Sequence, residues 1–315
     1  MTIETIGFIG LGTMGAPIAA NLLRAGFKVR GFDLDPARAK LLPGLEVANT
    51  AIECVNGVDI VMTSLPGPRQ FLSLMESKGF TESLKPGSLF IDLTTNDPAI
   101  VRQYDILLAG QDVHLLDSPV TGAVNGAISG ELTIFSGGRR SDFDRALPIL
   151  NAVSAKAIHC GAIGAGNVVK LVTNQLWFIH AAALGEGLLL GKKGGVDLAV
   201  LWDAIKSSVG TSFVAEHDAP SIFAGHYDPS FTLDLCAKDL GLITSLAHSL
   251  SVPVPLTECT QGRFLLARES YGGAGPEYYV TKLLEDEAKT DLRIPGDWGS
   301  HWSADPTFAP IMKAI

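Results

Sequence analysis

The sequence feature that most constrains this chain is a glycine-rich turn close to its N-terminus. Gly10, Gly12 and Gly15 follow an apolar run at residues 6–9 and precede a helical pattern that ends at Gly26. In this spacing the first glycine permits a tight turn, the second lets the backbone approach a pyrophosphate, and the third lets helix and strand pack closely. The N–H groups at the start of the helix then favour an anion. The pattern predicts a dinucleotide-binding βαβ unit, with a ligand-free glycine turn as the alternative, and the predicted cofactor contacts are Gly10, Leu11, Gly12, Thr13, Met14 and Gly15.

An acidic residue follows the second predicted strand, which covers residues 29–32. Asp33 lies close to the position, about 20 residues after the glycine turn, where a carboxylate accepts hydrogen bonds from the adenosine ribose. A carboxylate there repels a 2′-phosphate, and no arginine follows directly. The sequence therefore favours NAD over NADP, although Arg30 and Arg38 remain close enough in sequence to reach a phosphate.

Composition excludes several classes of function. The 315 residues carry a formal net charge of −9 with no cluster of lysine or arginine, which argues against a nucleic-acid or anionic-membrane surface. No basic leader precedes the first apolar strand, so we expect a cytoplasmic protein. The weakly charged stretch at residues 171–191 contains Asn174, Gln175 and Glu186, so we expect a buried helix there and no membrane span. The cysteines show no C-x-x-C spacing, which predicts no zinc site and reduced core thiols at Cys54, Cys160, Cys236 and Cys259.

The pattern of elements divides the chain in two. In the first half, apolar runs alternate with helical patterns, which predicts a doubly wound, mostly parallel sheet. Those runs cover residues 6–9, 29–32, 60–64, 89–92, 113–117, 132–136 and 157–159. Helical patterns alone follow, at residues 167–192, 198–207, 235–250 and 255–269. We therefore predict an α/β Rossmann domain over residues 1–163 and an all-α domain over residues 164–315, with an irregular tail from Asp291 docked through Trp298 and Trp302.

Three later segments carry candidate chemistry. The small-residue loop Asp117–Ala127 follows a predicted strand and either offers N–H groups and a hydroxyl to a carboxylate or serves as a tight connector. Lys170 and Asn174 are four residues apart and share one otherwise apolar helix face. A lysine there either extends to solvent, which the spacing alone favours, or is held in a pocket and suited to acid–base work. Lys238-Asp239-Leu240 lies on a helical pattern, where a solvated charge pair is the simpler interpretation.

Taken together these segments resemble the β-hydroxyacid dehydrogenase family, which includes 3-hydroxyisobutyrate dehydrogenase and tartronate semialdehyde reductase. The resemblance covers about residues 4–285 and consists of four signatures in matching order: Gly7–Gly15, Asp117–Ala127, Gly164–Asn174 and Lys238–Leu240. It implies a Rossmann domain and an all-α domain joined by a long helix. It also implies a homodimer or homotetramer formed through the helical domains.

The resemblance further implies roles for individual residues. Lys170 would be the catalytic lysine, and Asn174 would orient the substrate beside it. The substrate carboxylate would bind at Thr121, Gly122 and Ala123, and the dinucleotide would be lined by Leu65, Pro66 and Thr95. Lys238 would close the far side of the cleft and contact both substrate and cofactor. The family's substrate loop usually reads Asp-Ala-Pro-Val-Ser-Gly-Gly, whereas this chain has Ser118, Thr121 and Ala123 at the variant positions. These departures affect the expected shape of the substrate pocket.

The resulting expectation is reversible hydride transfer between NAD and a small 3-hydroxy acid carboxylate of the 3-hydroxyisobutyrate type. One alternative is an imine reductase, a class that shares this architecture, usually lacks the lysine and prefers NADPH. Lys170 and Asp33 speak against it. The other alternative is a non-catalytic dinucleotide-binding interaction module. The presence of Lys170, Asn174 and Lys238 argues against it.

Overall fold

A computed structural model describes residues 5–298 of the chain. These residues form two compact units that meet in sequence between Lys170 and Leu171. We call residues 5–170 the N-terminal unit and residues 171–298 the C-terminal unit. The sequence-based boundary between residues 163 and 164 stays a prediction.

The N-terminal unit is built on a single sheet. Its strands within the described residues are β1 (Thr5–Ile9), β2 (Lys28–Phe32), β3 (Glu46–Val47), β4 (Ile60–Thr63), β5 (Leu89–Asp92), β6 (His114–Asp117), β7 (Val120–Thr121), β8 (Leu132–Gly137) and β9 (Ser154–Gly161). The order is β3-β2-β1-β4-β5-β6-β8-β7, with β9 paired to β8. All pairings are parallel except those of β8 with β6 and with β7. The predicted mostly parallel sheet is confirmed, and the two-residue strands β3 and β7 are additions to it.

Helices cover both faces of this sheet. They are α1 (Gly15–Arg24), α2 (Pro36–Lys40), α3 (Ala51–Val55), α4 (Pro68–Met75), α5 (Pro98–Ala109), α6 (Ala123–Ser129) and α7 (Arg140–Leu150), with a 3-10 turn at Thr81–Ser83. Alternate residues of β4 belong to different cores: Ile60 and Met62 to one, Val61 to the other. Because both faces are buried, the strand is apolar up to its last residue, Thr63, which is why its sequence is a nearly continuous apolar run.

The register of the parallel strands brings their carboxyl ends to one edge. Ile9 is paired with both Phe32 and Thr63, and Asp92 is paired with both Thr63 and Asp117. The residues that follow these strands therefore leave the sheet side by side. The chain order reverses between β1 and β4, and open α/β sheets bind ligands in the crevice at such a point.

Helices form the C-terminal unit within the described residues. The long helix α8 (Ala165–Lys193) begins in the N-terminal unit and continues past Leu171. It is followed by α9 (Leu198–Lys206), a π-helical turn (Val214–Asp218), α10 (Ala219–Ala224), α11 (Leu233–Ser249), α12 (Pro255–Tyr271) and α13 (Tyr279–Ala288). The predicted all-α character is confirmed, whereas α10 and α13 were not predicted. No helix within residues 5–298 has the length and apolar character needed to cross a bilayer.

Two smaller expectations have separate outcomes. Trp298 packs against Trp202 and Phe223, with ring centroids 5.7 and 5.6 Å apart, as predicted for the tail, whereas Trp302 lies outside the described residues. The prediction that the cysteines are core thiols is wrong for Cys259, which is exposed on α12, and Cys160 is only partly buried.

Candidate active site

The glycine turn between β1 and α1 has little room for side chains on its inner side. A Cβ atom at Gly10, where φ is +93°, would lie 2.3 Å from the carbonyl oxygen of Ser64. A Cβ atom at Gly15 would lie 1.9 Å from the carbonyl oxygen of Gly10. Both contacts are with backbone, which cannot move aside cheaply, so the sequence at these positions must be glycine.

The same turn is open at its middle glycine. At Gly12 a Cβ atom would meet Nη1 of Arg38, the end of a flexible side chain, at 3.3 Å, and no other atom of residues 5–298 beyond its chain neighbours within 4 Å. Gly12, Thr13 and Met14 are partly exposed, and Met14 begins α1 without a side-chain cap. The turn is tightly packed on its inner side and accessible to solvent on its outer side. The N–H groups at the start of the helix have no side-chain acceptor, so this turn fits a pyrophosphate.

Asp33 is fixed against this turn. Its Oδ2 accepts a hydrogen bond from the N–H of Leu11 at 2.7 Å, and its Oδ1 accepts one from the N–H of Asp35 at 2.9 Å. Each carboxylate oxygen has a further lone pair for a ribose hydroxyl. Nη1 of Arg38 lies 3.9 Å from Oδ2, so a cation stands beside the predicted ribose site.

The residues predicted to line the dinucleotide follow β4 and β5 at the same sheet edge. Leu65 donates its N–H to Oγ1 of Thr94 at 3.1 Å, which ties the two loops together. Pro66 is exposed, and Leu65 and Thr95 are partly buried. They are therefore accessible next to the glycine turn, which is what their predicted role requires.

A buried polar network lies beneath these loops, and sequence reasoning missed most of it. Asp92 ends β5 and accepts hydrogen bonds from Oγ1 of Thr63 (2.8 Å) and Nδ2 of Asn96 (3.1 Å). Asp117 ends β6 and accepts from the N–H groups of Gly164 and Asn167, both at 2.7 Å. Burial raises the pKa of Asp92 and raises that of Asp117 to about 7, although the donated N–H groups oppose the rise. A carboxylic residue at the end of a buried, largely apolar strand was the available signal.

The predicted carboxylate-binding loop joins β7 to α6. Thr121 is partly buried and pairs with Thr133 of β8, whereas Gly122 and Ala123 are exposed. Gly122 has φ +120° and Ala123 has φ +51°. Ala123 thus adopts a left-handed conformation that glycine, the usual family residue there, adopts at lower cost.

Lys170 and Asn174 lie one turn apart on α8 and are both buried, with 9% and 8% of their surface exposed. The interpretation of Lys170 as extended into solvent is therefore wrong for this structure. Nδ2 of Asn174 donates to Oδ2 of Asp239 on α11 at 2.7 Å. Since a carboxylate only accepts, this bond fixes the amide so that Oδ1 of Asn174 is left as an acceptor.

Lys238 and Asp239 are not the solvated pair that their local sequence suggested. Nζ of Lys238 lies 2.8 Å from Oδ1 of Asp239, whose side chain is only 2% exposed. Asp239 therefore links Lys238 to Asn174. Sequence reasoning placed Asp239 in a signature but gave it no role, because the bond joins residues 65 positions apart.

A Rossmann sheet with this glycine turn, a carboxylate fixed against the turn and a buried lysine is typical of a nicotinamide dinucleotide-dependent oxidoreductase. Comparisons with known proteins agree. Residues 5–162 match the family model for the NAD-binding domain of 6-phosphogluconate dehydrogenase. Residues 164–284 match the model described as NAD-binding of NADP-dependent 3-hydroxyisobutyrate dehydrogenase.

Individual relatives are similar over nearly their full length. L-threonate dehydrogenase of Cupriavidus necator is 34% identical over 93% of this chain and 98% of the relative. 3-Hydroxyisobutyrate dehydrogenase of Pseudomonas aeruginosa is 35% identical over 83% of this chain and 91% of its own. A structure of 3-hydroxyisobutyrate dehydrogenase from Mycobacterium tuberculosis with L-serine superposes with a TM-score of 0.82 at 31% identity, covering 90% of this chain and 99% of that one. The chain belongs to the β-hydroxyacid dehydrogenase family, whose members are NAD(P)-dependent oxidoreductases acting on the CH–OH group of hydroxy acids.

Proposed function

We propose that this chain catalyses the reversible oxidation of a small 3-hydroxy acid, of the 3-hydroxyisobutyrate type, with NAD as cofactor and Lys170 as general acid/base. The burial of Lys170, one helical turn before Asn174, is the observation that carries the proposal. A lysine that served only solubility would be more stable in solvent, because burying its amino group costs free energy. Its placement on a family signature, next to an amide whose orientation is fixed, supports a catalytic role.

Each protein group has a distinct task in this proposal. When bound, the nicotinamide ring accepts or supplies the hydride. The substrate carboxylate binds at Thr121, Gly122 and Ala123. Lys170 takes the proton of the substrate hydroxyl during oxidation and returns it during reduction. Oδ1 of Asn174 accepts a hydrogen bond and holds the hydroxyl or the ammonium in place, while Lys238 contributes positive charge beside the cofactor and substrate.

The test of Lys170 is its replacement by alanine. General acid–base catalysis contributes about 10²–10⁴-fold, so Lys170→Ala should lower kcat by that order while the Kd for NAD stays nearly unchanged. Lys193→Ala is the matched control, because Lys193 is an exposed lysine at the far end of the same helix. Wild-type kcat in Lys170→Ala would disprove the assignment.

The substrate is tested with a panel followed by NADH absorbance. Because the named relatives act on L-threonate and 3-hydroxyisobutyrate, the panel contains both, together with L-serine, glycerate and 3-hydroxypropionate. We expect turnover of at least one acid. Measurable NAD binding with no turnover of any member would favour the non-catalytic interaction module instead.

We also propose a homodimer or homotetramer formed through the helical part of the chain. Val172 and Leu176, four residues apart on α8, have 47% and 52% of their surface exposed, and Leu265 and Leu266 of α12 are also exposed. Apolar side chains grouped on helix faces are typical of association surfaces. Light scattering of the purified protein measures the assembly, and a monomeric mass would contradict it.

A further inference from the structure

We propose that Asn167 is a positioning residue for Lys170, holding the first turn of α8 against the segment that follows β5. The inference rests on the proposed role of Lys170 as acid/base. Asn167 lies three residues before Lys170, about one helical turn, so a shift of this turn moves the lysine with it.

All the polar side-chain groups of Asn167 face protein groups in its fully buried position. Its Nδ2 donates to Oδ2 of Asp117 at 3.2 Å, and its backbone N–H donates to the same oxygen at 2.7 Å. Its Oδ1 accepts from the backbone N–H of Asn96 at 2.7 Å. The donor-only N–H of Asn96 requires Oδ1 of the amide on its side, and Oδ2 of Asp117, which already accepts the backbone N–H of Asn167, then faces Nδ2, so one orientation of the amide makes both bonds.

The carboxylate that holds Asn167 has no room to move. A Cβ atom at Gly137 would lie 2.3 Å from Oδ1 of Asp117, and that oxygen also accepts from the N–H of Gly164 at 2.7 Å. A Cβ atom at Gly166 would lie 2.3 Å from the carbonyl oxygen of Phe135 and 2.5 Å from that of Asp117. The glycines of the Gly164–Asn174 signature thus let the start of α8 approach the ends of β6 and β8 closely.

On its other side, Asn167 connects to the loops after β4 and β5 that are proposed to line the dinucleotide. Asn96 donates Nδ2 to Asp92 at 3.1 Å, and Asp92 accepts the N–H of Thr94 at 3.1 Å. Thr94 in turn accepts the N–H of Leu65 at 3.1 Å. A continuous set of hydrogen bonds therefore joins the turn that carries Lys170 to the loops that carry Leu65 and Thr95.

This arrangement sets the separation between the proton carrier and the proposed hydride acceptor. Catalysis needs both groups held close to one geometry, and a misplacement of about 1 Å can cost about 10²-fold. Asn167 is the one residue of this set that contacts both Asp117 and the segment after β5. Its loss should therefore change catalysis more than it changes folding or cofactor binding.

The experiment compares Asn167→Ala with Asn21→Ala. Asn21 is a matched control, because it is a buried asparagine of the same unit whose Nδ2 bonds to the carbonyl oxygen of Ala127 at 2.7 Å. With L-threonate or 3-hydroxyisobutyrate, whichever turns over faster, Asn167→Ala should lower kcat about 10- to 100-fold with little change in the Kd for NAD. Asn21→Ala should lower Tm by a similar amount and leave kcat near wild type.

The role is separated from a general structural one by a double variant. In the Lys170→Ala background, measured by single-turnover NADH formation, Asn167→Ala should cost little, because the group it positions is gone. The same fold-loss in both backgrounds, or a wild-type kcat in Asn167→Ala, overturns the inference. Wild-type kcat in Lys170→Ala is a different result and overturns the proposed function itself.

A second variant serves if Asn167→Ala fails to fold. Asn167→Asp keeps the volume and the acceptor for Asn96 but replaces the Nδ2 donor with an oxygen facing Asp117. Two carboxyls at this contact must share a proton. The ratio of variant to wild-type kcat should therefore rise as pH falls, and a ratio near one at every pH overturns the inference.

Discussion

At the scale of single residues, the carboxylate of Asp33 combines an observed structural role with a proposed cofactor-binding role. It accepts the N–H of Leu11 and so holds the glycine turn, and its position suits a ribose hydroxyl. Arg38, 3.9 Å away, is the cation that would receive a 2′-phosphate if the carboxylate were absent. The proposed preference for NAD therefore depends on Asp33 more than on the glycines, which serve either cofactor.

Replacing Asp33 with serine tests this preference. A hydrogen bond to a charged group contributes about 1.5–3 kcal/mol, so kcat/KM with NAD should fall about 10- to 100-fold. The value with NADP should fall less or rise, because the repulsion of the 2′-phosphate is removed while Arg38 stays. Asp33→Asn, which keeps an acceptor for Leu11, separates the effect of charge from that of the turn. An unchanged NAD/NADP ratio in Asp33→Ser would refute the argument.

At the scale of elements, the junction between β6 and α8 depends on the ionisation of Asp117. Burial raises the pKa of this carboxyl from 3.8 to about 7. Between those pH values the folded protein retains a proton that the unfolded chain has released, so the contribution of Asp117 to stability falls as pH rises through this window and is constant above it. Asp117→Asn cannot titrate. The difference in unfolding free energy between variant and wild type should therefore change between about pH 4 and pH 7 and be flat above pH 7, as measured by urea unfolding.

Strands and helices could be predicted where the element is buried and its apolar residues form a recognisable run or period. The five-residue strand β1 and the 29-residue helix α8 were both found from periodicity, within two residues at each end. The strand β7 has two residues, too few to show a period, and α10 follows a π-helical turn whose spacing breaks the helical pattern. The antiparallel direction of β8 depends on its partners, which no local pattern reports.

The candidate site divides along the same line. Residues that belong to compact signatures could be proposed from the sequence: Gly12 from its motif, and Lys170 from the family resemblance. Asn96 and Asn167 were given no role, although Asn167 lies within the Gly164–Asn174 signature, because the hydrogen bond between them joins residues 71 positions apart. Local sequence patterns indicate contacts between residues that are close in sequence. The hydrogen-bond network around Asn167 is built from contacts between residues that are distant in sequence, so no local pattern indicates it.

At the scale of the whole molecule, acidic groups are buried in both units. Burial raises the pKa of Asp92 and Asp117 in the N-terminal unit and of Asp218 and Glu277 in the C-terminal unit. Each of these groups must release its proton inside the folded protein at a pH where the unfolded chain has already done so. The formal net charge of −9 adds repulsion that also grows as pH rises.

Both effects predict that the folded protein loses stability between mildly acidic and mildly basic pH, and salt separates them. Repulsion between surface charges is screened at high ionic strength, whereas the burial of a carboxyl is not. Tm measured by calorimetry should therefore fall from about pH 5.5 to about pH 8 and keep most of that fall in high salt, at about 2–4 °C for each kcal/mol lost. Glu277→Gln, which removes a titrating group while keeping its volume, should flatten the dependence. A dependence that high salt abolishes would mean that surface repulsion, and not the buried carboxyls, sets the pH response of this chain, and a Tm that rises over this range would contradict both effects.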